Sequence, residues 1–114
     1  MSFVAYSSPN AVIPNGQTKS AEVNTRGLQP IGVQLPAAFT GTSISFERAR
    51  ASGGTFGPVQ NVSGAGLYSV PCAAGQYIPL DPIVMLGINF LRVVSNSSEA
   101  AARDIEVVCI PVAH

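Results

Sequence analysis

The chain is predicted to be all-β: one antiparallel β-sandwich, with helix confined to short turns in its loops. Three observations point there. Glycine and proline recur throughout, 11 and 9 in 114 residues, leaving no room for a long helix. Between them lie short runs rich in Val, Ile, Phe and Tyr, residues that suit a pleated, half-buried surface. These runs come at regular spacing, as in sandwiches and barrels. About eight such strands fit a jelly roll, one arrangement in which two sheets pack face to face. A chain this long is one domain, able to bury roughly 65% of its unfolded surface.

Taken in order, strands are expected over residues 2–6, 18–24, 31–35, 42–48, 57–62, 67–70, 76–80, 88–95 and 104–112. Residues 1–16 stand apart from the sandwich domain, 17–114. In them, small apolar islands at 3–6 and 11–13 flank Ser7-Ser8-Pro9-Asn10, and Pro14-Asn15-Gly16 closes the stretch. This is either an edge strand tucked onto the sandwich or an extended arm packing on a neighbouring subunit. In the second case Phe3, Val4, Tyr6, Val12 and Ile13 would make the contacts.

The stretch 42–59, TSISFERARASGGTFGPV, reads as a hairpin. Ile44 and Phe46 share one face, while Ser43, Ser45 and Glu47 share the other. The inward parity then reaches Arg48 and Arg50, so the core is expected to end at Phe46. Ser52-Gly53-Gly54 supplies the turn, and Phe56 and Val59 resume the apolar pattern. Farther on, Asp81-Pro82 starts a short helical turn, with Asp as N-cap and Pro at the first position. Glu99 and Arg103 have the i,i+4 spacing that supports another such turn.

The last two strands carry apolar residues on both parities. Leu91 and Val93 alternate with Phe90, Arg92 and Val94; Ile105, Val107 and Cys109 alternate with Glu106, Val108 and Ile110. An antiparallel strand with one wet face alternates more cleanly. Something is expected to cover the second face, either this chain's own loops or another subunit. Leu91, Val93, Val108 and Ile110 join the candidate interface because either parity could be the core face. Arg48 and Arg50 join it as rim charges.

Composition narrows the function. Charged residues make up 11% of the chain and net charge is zero, against about 25% charged in typical soluble domains. Such a surface has little self-repulsion and favours association. The six Lys and Arg are scattered, so no phosphate-tracking patch is expected and nucleic acid is not a partner. No apolar run approaches the roughly 20 residues of a spanning helix, so no membrane partner is expected. The first residues lack a basic, then apolar, leader, which predicts intracellular synthesis and two free thiols, Cys72 and Cys109, rather than a disulfide.

No catalytic set assembles on paper. The one histidine is the final residue, His114, a poor place for a general base. Two distant cysteines and a terminal histidine match no zinc spacing, and no Asp-x-Asp loop exists for calcium. Glu22, Glu47, Asp81, Glu99, Asp104 and Glu106 each have simpler uses as caps, turn residues or exposed strand positions than as a hydrolytic pair. No glycine cluster matches a phosphate-loop or dinucleotide fingerprint. No enzyme, cofactor or metal is expected.

Four segments together resemble small proteins encoded among the structural genes of tailed bacteriophages. These are Thr-Gly-Thr-Ser-Ile-Ser-Phe at 40–46, Gly-Gly-Thr-Phe at 53–56, Ala-Ala-Gly-Gln-Tyr-Ile-Pro-Leu-Asp-Pro at 73–82 and Phe-Leu-Arg-Val-Val-Ser at 90–95. Residues 48–51 and the two cysteines depart from that pattern. The resemblance implies a virion component on the capsid exterior, made in the host cytoplasm. It would be a cement or decoration protein whose partners are the major capsid protein and copies of itself. The alternative is a carbohydrate-binding sandwich or tail-fibre component, since discoidin-like sugar-binding sandwiches share such turns. The absence of Trp and the presence of only three Tyr leave few rings for a sugar to stack on.

Overall fold

A computed structural model describes residues 8–64 and 66–112 of the chain. In order it contains β1 (Asn10–Ile13), β2 (Val23–Asn24), β3 (Leu28–Gln34), β4 (Ser43–Ala49), β5 (Gly57–Pro58), β6 (Ser69–Pro71), β7 (Tyr77–Pro79), α1 (Pro82–Met85), β8 (Phe90–Ser95) and β9 (Arg103–Pro111). The first sheet runs β1-β9-β3-β7 and the second β2-β8-β4-β5, with β6 also pairing with β4. Every pairing is antiparallel. The protein is an all-β sandwich.

Period-two alternation builds the core. Ala11 and Ile13 of β1, Val33 of β3 and Ile105, Val107 and Cys109 of β9 point inward from the first sheet. Ile44 and Phe46 of β4 and Leu91 and Val93 of β8 meet them from the second. Each fully buried Val, Leu, Ile or Phe side chain stabilises the fold by about 1.5–3 kcal/mol. The Phe46 ring stacks on Tyr68 at 6.0 Å between centroids, and the Tyr68 hydroxyl accepts the Asp81 N–H at 2.9 Å. That contact ties the second sheet to the start of α1.

β-strand residues are fewer than the sequence predicts, for identifiable reasons. The expected strand 18–24 pairs as a strand only at Val23–Asn24. Before it the chain crosses between sheets: Ser20 N–H donates to Val93 O and Ala21 N–H to Val12 O. The expected strand 57–62 shortens to Gly57–Pro58, and β5 and β6 then share one edge of β4, pairing with its two ends. β3 starts earlier than predicted and shifts register against β9 between Pro30 and Gly32. Pro30 has no N–H for the ladder, and a bulge accommodates it.

The two helical turns part company. α1 forms as expected: Asp81 accepts the Ile83 N–H at 2.9 Å and Pro82 opens the turn. Residues 96–102 instead form an open loop, in which Glu99 and Arg103 pair without a helix. The strand expected over residues 2–6 lies outside the described residues. No helix among the described residues is long and apolar enough to cross a membrane.

Candidate interaction surfaces

The outer face of the second sheet carries a charge cluster built on β4 and β8. Glu47 of β4 and Arg92 of β8 are directly paired across strands. The Glu47 carboxylate meets Lys19 Nζ at 3.0 Å and Arg92 Nη1 at 3.8 Å. The Arg92 guanidinium lies 4.0 Å from the centroid of the Phe56 ring. The cluster is only partly satisfied by its own members, since Glu47 Oε1 and Arg92 Nε are buried without a hydrogen-bond partner. On β8 the chain itself covers part of the second apolar parity: Phe90 is buried.

Glu22 grips the tip of the 42–59 hairpin. The Ser52 hydroxyl and the Gly53 N–H, the latter at 2.8 Å, donate to its carboxylate. Those donors, Ser52 first, hold the Glu22 carboxyl below its usual range. On β4 the core cluster ends at Phe46, as expected. Ala49 is buried on the opposite parity, opposite Phe90 in the ladder, and Arg48 and Arg50 on either side of it are exposed.

Among the described residues Glu99 is the one carboxylate in the interior, 1% exposed. It accepts Thr40 N–H at 3.0 Å, Thr40 Oγ1 at 2.8 Å and Arg103 Nε at 2.8 Å. Its backbone joins the same knot: Gly16 N–H donates to Glu99 O, and Glu99 N–H donates to Gln17 O. Burial alone would raise its pKa, but the Arg103, Thr40 N–H and Thr40 hydroxyl bonds outweigh burial and hold it below the usual value. Its role is a latch between three loops. The i,i+4 spacing to Arg103 was the visible signal for it, although the spacing pointed to the wrong secondary structure.

Both cysteines are free thiols. Burial pushes Cys109 up to about 11; burial, then the Glu99 charge, raises Cys72. Neither is primed as a nucleophile, because the thiolate is the reactive form. Among the described residues no three His, Cys, Asp or Glu side chains cluster as metal ligands would. An apolar cleft of about 210 Å³ opens at one end of the sandwich between Thr25, Leu28, Leu86, Ile88, Asn89 and Val112. That falls below the roughly 300–1,000 Å³ of small-molecule sites.

The expected contact residues divide sharply. Phe3, Val4 and Tyr6 lie outside the described residues. Leu91 and Val93 are core residues with 0% exposure, as is Ile13. No partner can reach them, because their parity faces the opposite sheet. Asn10–Ile13 is an edge strand on β9 rather than a free arm. Val12, by contrast, is 40% exposed, and Val108 and Ile110 are half-exposed on the outer face of β9. Tyr77 shares that face, its ring lying over Gly32.

Asp104 and Glu106, which the sequence placed among caps, turn residues and exposed strand positions, were not among the expected contact residues. Four of the six acidic side chains are used inside the fold: Glu22 at the hairpin tip, Glu47 with Lys19, Asp81 as N-cap and Glu99 with Arg103. Asp104 and Glu106 make no ion pair or side-chain hydrogen bond among the described residues, and both point outward on β9 beside Val108 and Val12. Only the full pairing pattern distinguishes them from the other four.

Comparison of the chain with protein-family models gives no match, and neither curated protein sequences nor solved structures give one.

Proposed function

We propose that the protein is a non-enzymatic structural component of a virion, a decoration or cement protein that attaches to the major capsid protein on the shell exterior. The observation that carries this reading is the outer face of the first sheet. Val12, Val108, Ile110 and Tyr77 place exposed and half-exposed apolar groups on one face, in a chain with few charges to keep such a face in water. Faces of this kind mark contact with other proteins. The phage-like segments 40–46, 53–56, 73–82 and 90–95 supply the kind of assembly. A cement protein repeats one modest contact many times over a shell, and each attachment raises the effective concentration for the next. Quantitative mass spectrometry of purified particles is the test. A fixed copy number relative to the major capsid protein is expected; particles that lack the chain overturn the proposal.

A further inference from the structure

Of the five charged side chains without an ion pair or side-chain hydrogen bond among the described residues, four fall into two separated groups. On the outer face of β9, Asp104 and Glu106 alternate with the buried Ile105 and Val107, so both carboxylates project the same way, about 7 Å apart along the strand. At the end of β4, Arg48 and Arg50 flank the buried Ala49. Arg50 lies just past the strand, in the bend that follows it, so two exposed arginines sit close together in the chain at this end of the hairpin. None of the four has an ion-pair or side-chain hydrogen-bond partner among the described residues, whereas Lys19, Glu47, Arg92, Glu99 and Arg103 are all paired. Arg26 is the fifth unused charge.

The two acids and the two arginines belong to different sheets. Within one molecule β4 and β9 have no pairing, and Arg48, on the inward parity of β4 opposite Leu91, is exposed where the strand runs past the end of the core. Between molecules, the two patches are complementary in charge. The acidic pair also borders the apolar strip of Val12, Val108 and Ile110, which supplies the desolvated centre that an interface needs.

We infer that copies of this chain associate head to tail, the Arg48/Arg50 end of one seating on the Asp104/Glu106 face of β9 in the next. The contact is heterologous, because each copy offers one patch and receives the other. It therefore closes into a ring or runs on as an open array, depending on the rotation per step. The inference stands apart from the shell reading, because it concerns the isolated chain alone.

A charge-swap experiment on the full chain tests it. Sedimentation velocity across a dilution series should show wild-type association that weakens as salt is raised, because the paired charges lie at the rim. The double reversal Arg48→Glu with Arg50→Glu should raise the dissociation constant about tenfold or more, and Asp104→Arg with Glu106→Arg should do the same. Mixing the two reversed proteins should restore association, since every tip in the mixture then finds an opposite face. Unchanged circular dichroism of each variant shows that folding is not the cause. A wild-type chain that stays monomeric into the millimolar range overturns the inference. So does wild-type association by either reversed protein, or failure of the mixture to recover.

Discussion

The Arg103 Nε donates to the Glu99 carboxylate at 2.8 Å across a loop that contains no helix, and Glu99 is almost wholly withdrawn from water. The same carboxylate holds both the N–H and the hydroxyl of Thr40. One acid thus joins the loop before β4 to the loop before β9. Removing its charge leaves Arg103 and the Thr40 donors short of an acceptor, which costs more than the pair itself contributes. Glu99→Gln should lower stability by about 2–3 kcal/mol, read as a shifted denaturant midpoint at constant slope. A change below about 0.5 kcal/mol, the usual surface value, would mean the latch is dispensable.

Acid should loosen the same latch. Glu99 is held below the value of 4.5 that it has when unfolded, so near that pH the unfolded chain binds more protons than the folded one. Its contribution is complete above the unfolded value and is lost as pH falls through the depressed folded value. Thermal denaturation from pH 7 to 3 should show the midpoint dropping below about pH 4.5, and a shallower drop in Glu99→Gln. Identical profiles for the two proteins would place the acid sensitivity elsewhere.

Glu22 should matter locally rather than globally. Its carboxylate is exposed, yet it accepts the Ser52 hydroxyl and the Gly53 N–H. In Glu22→Ala the Gly53 amide should exchange with solvent faster, while core amides of β4 and β8 keep their protection. Unchanged Gly53 exchange would show that water replaces the carboxylate without loss.

Two glycines separate tight packing from mere proximity. A Cβ at Gly41 would fall 2.8 and 3.0 Å from two Phe39 ring atoms and against Ser95 Oγ, all within the buried interior. Gly41→Ala should cost about 1–3 kcal/mol. A Cβ at Gly32 would meet the Tyr77 ring, but Tyr77 is 47% exposed and can swing into solvent. Gly32→Ala should cost less than about 1 kcal/mol. Urea midpoints compare the two directly, and the reverse order would refute this account.

The thiols should report folding. At pH 8 a thiol reagent should leave Cys109 unlabelled and label Cys72 slowly in the native chain, because burial raises both pKa values. Denaturant should release both thiols. Rapid native labelling of both, or none after unfolding, would contradict buried free thiols.

How much was legible in the sequence depends on the range of the interaction involved. Local chemistry was: alternation at Ile44 and Phe46, the Asp81-Pro82 helix start and the turn after Ser52 depend only on neighbours along the chain. The parity of β8 was not, because Leu91 and Phe90 are both apolar and differ only in what lies opposite. The same holds for Ile13, which looks like a free arm residue until β1 is paired with β9.

By itself, then, the sequence determined the fold class, since strand spacing and glycine–proline punctuation act within a few residues. It also determined the poverty of charge that makes a surface prone to association. The tertiary structure alone decided which apolar face is core, that Glu99 is an interior latch, and that Asp104, Glu106, Arg48 and Arg50 have no side-chain partners among the described residues. Each of those facts depends on contacts between residues far apart in the chain, where hydrogen bonds and ion pairs either close or stay open.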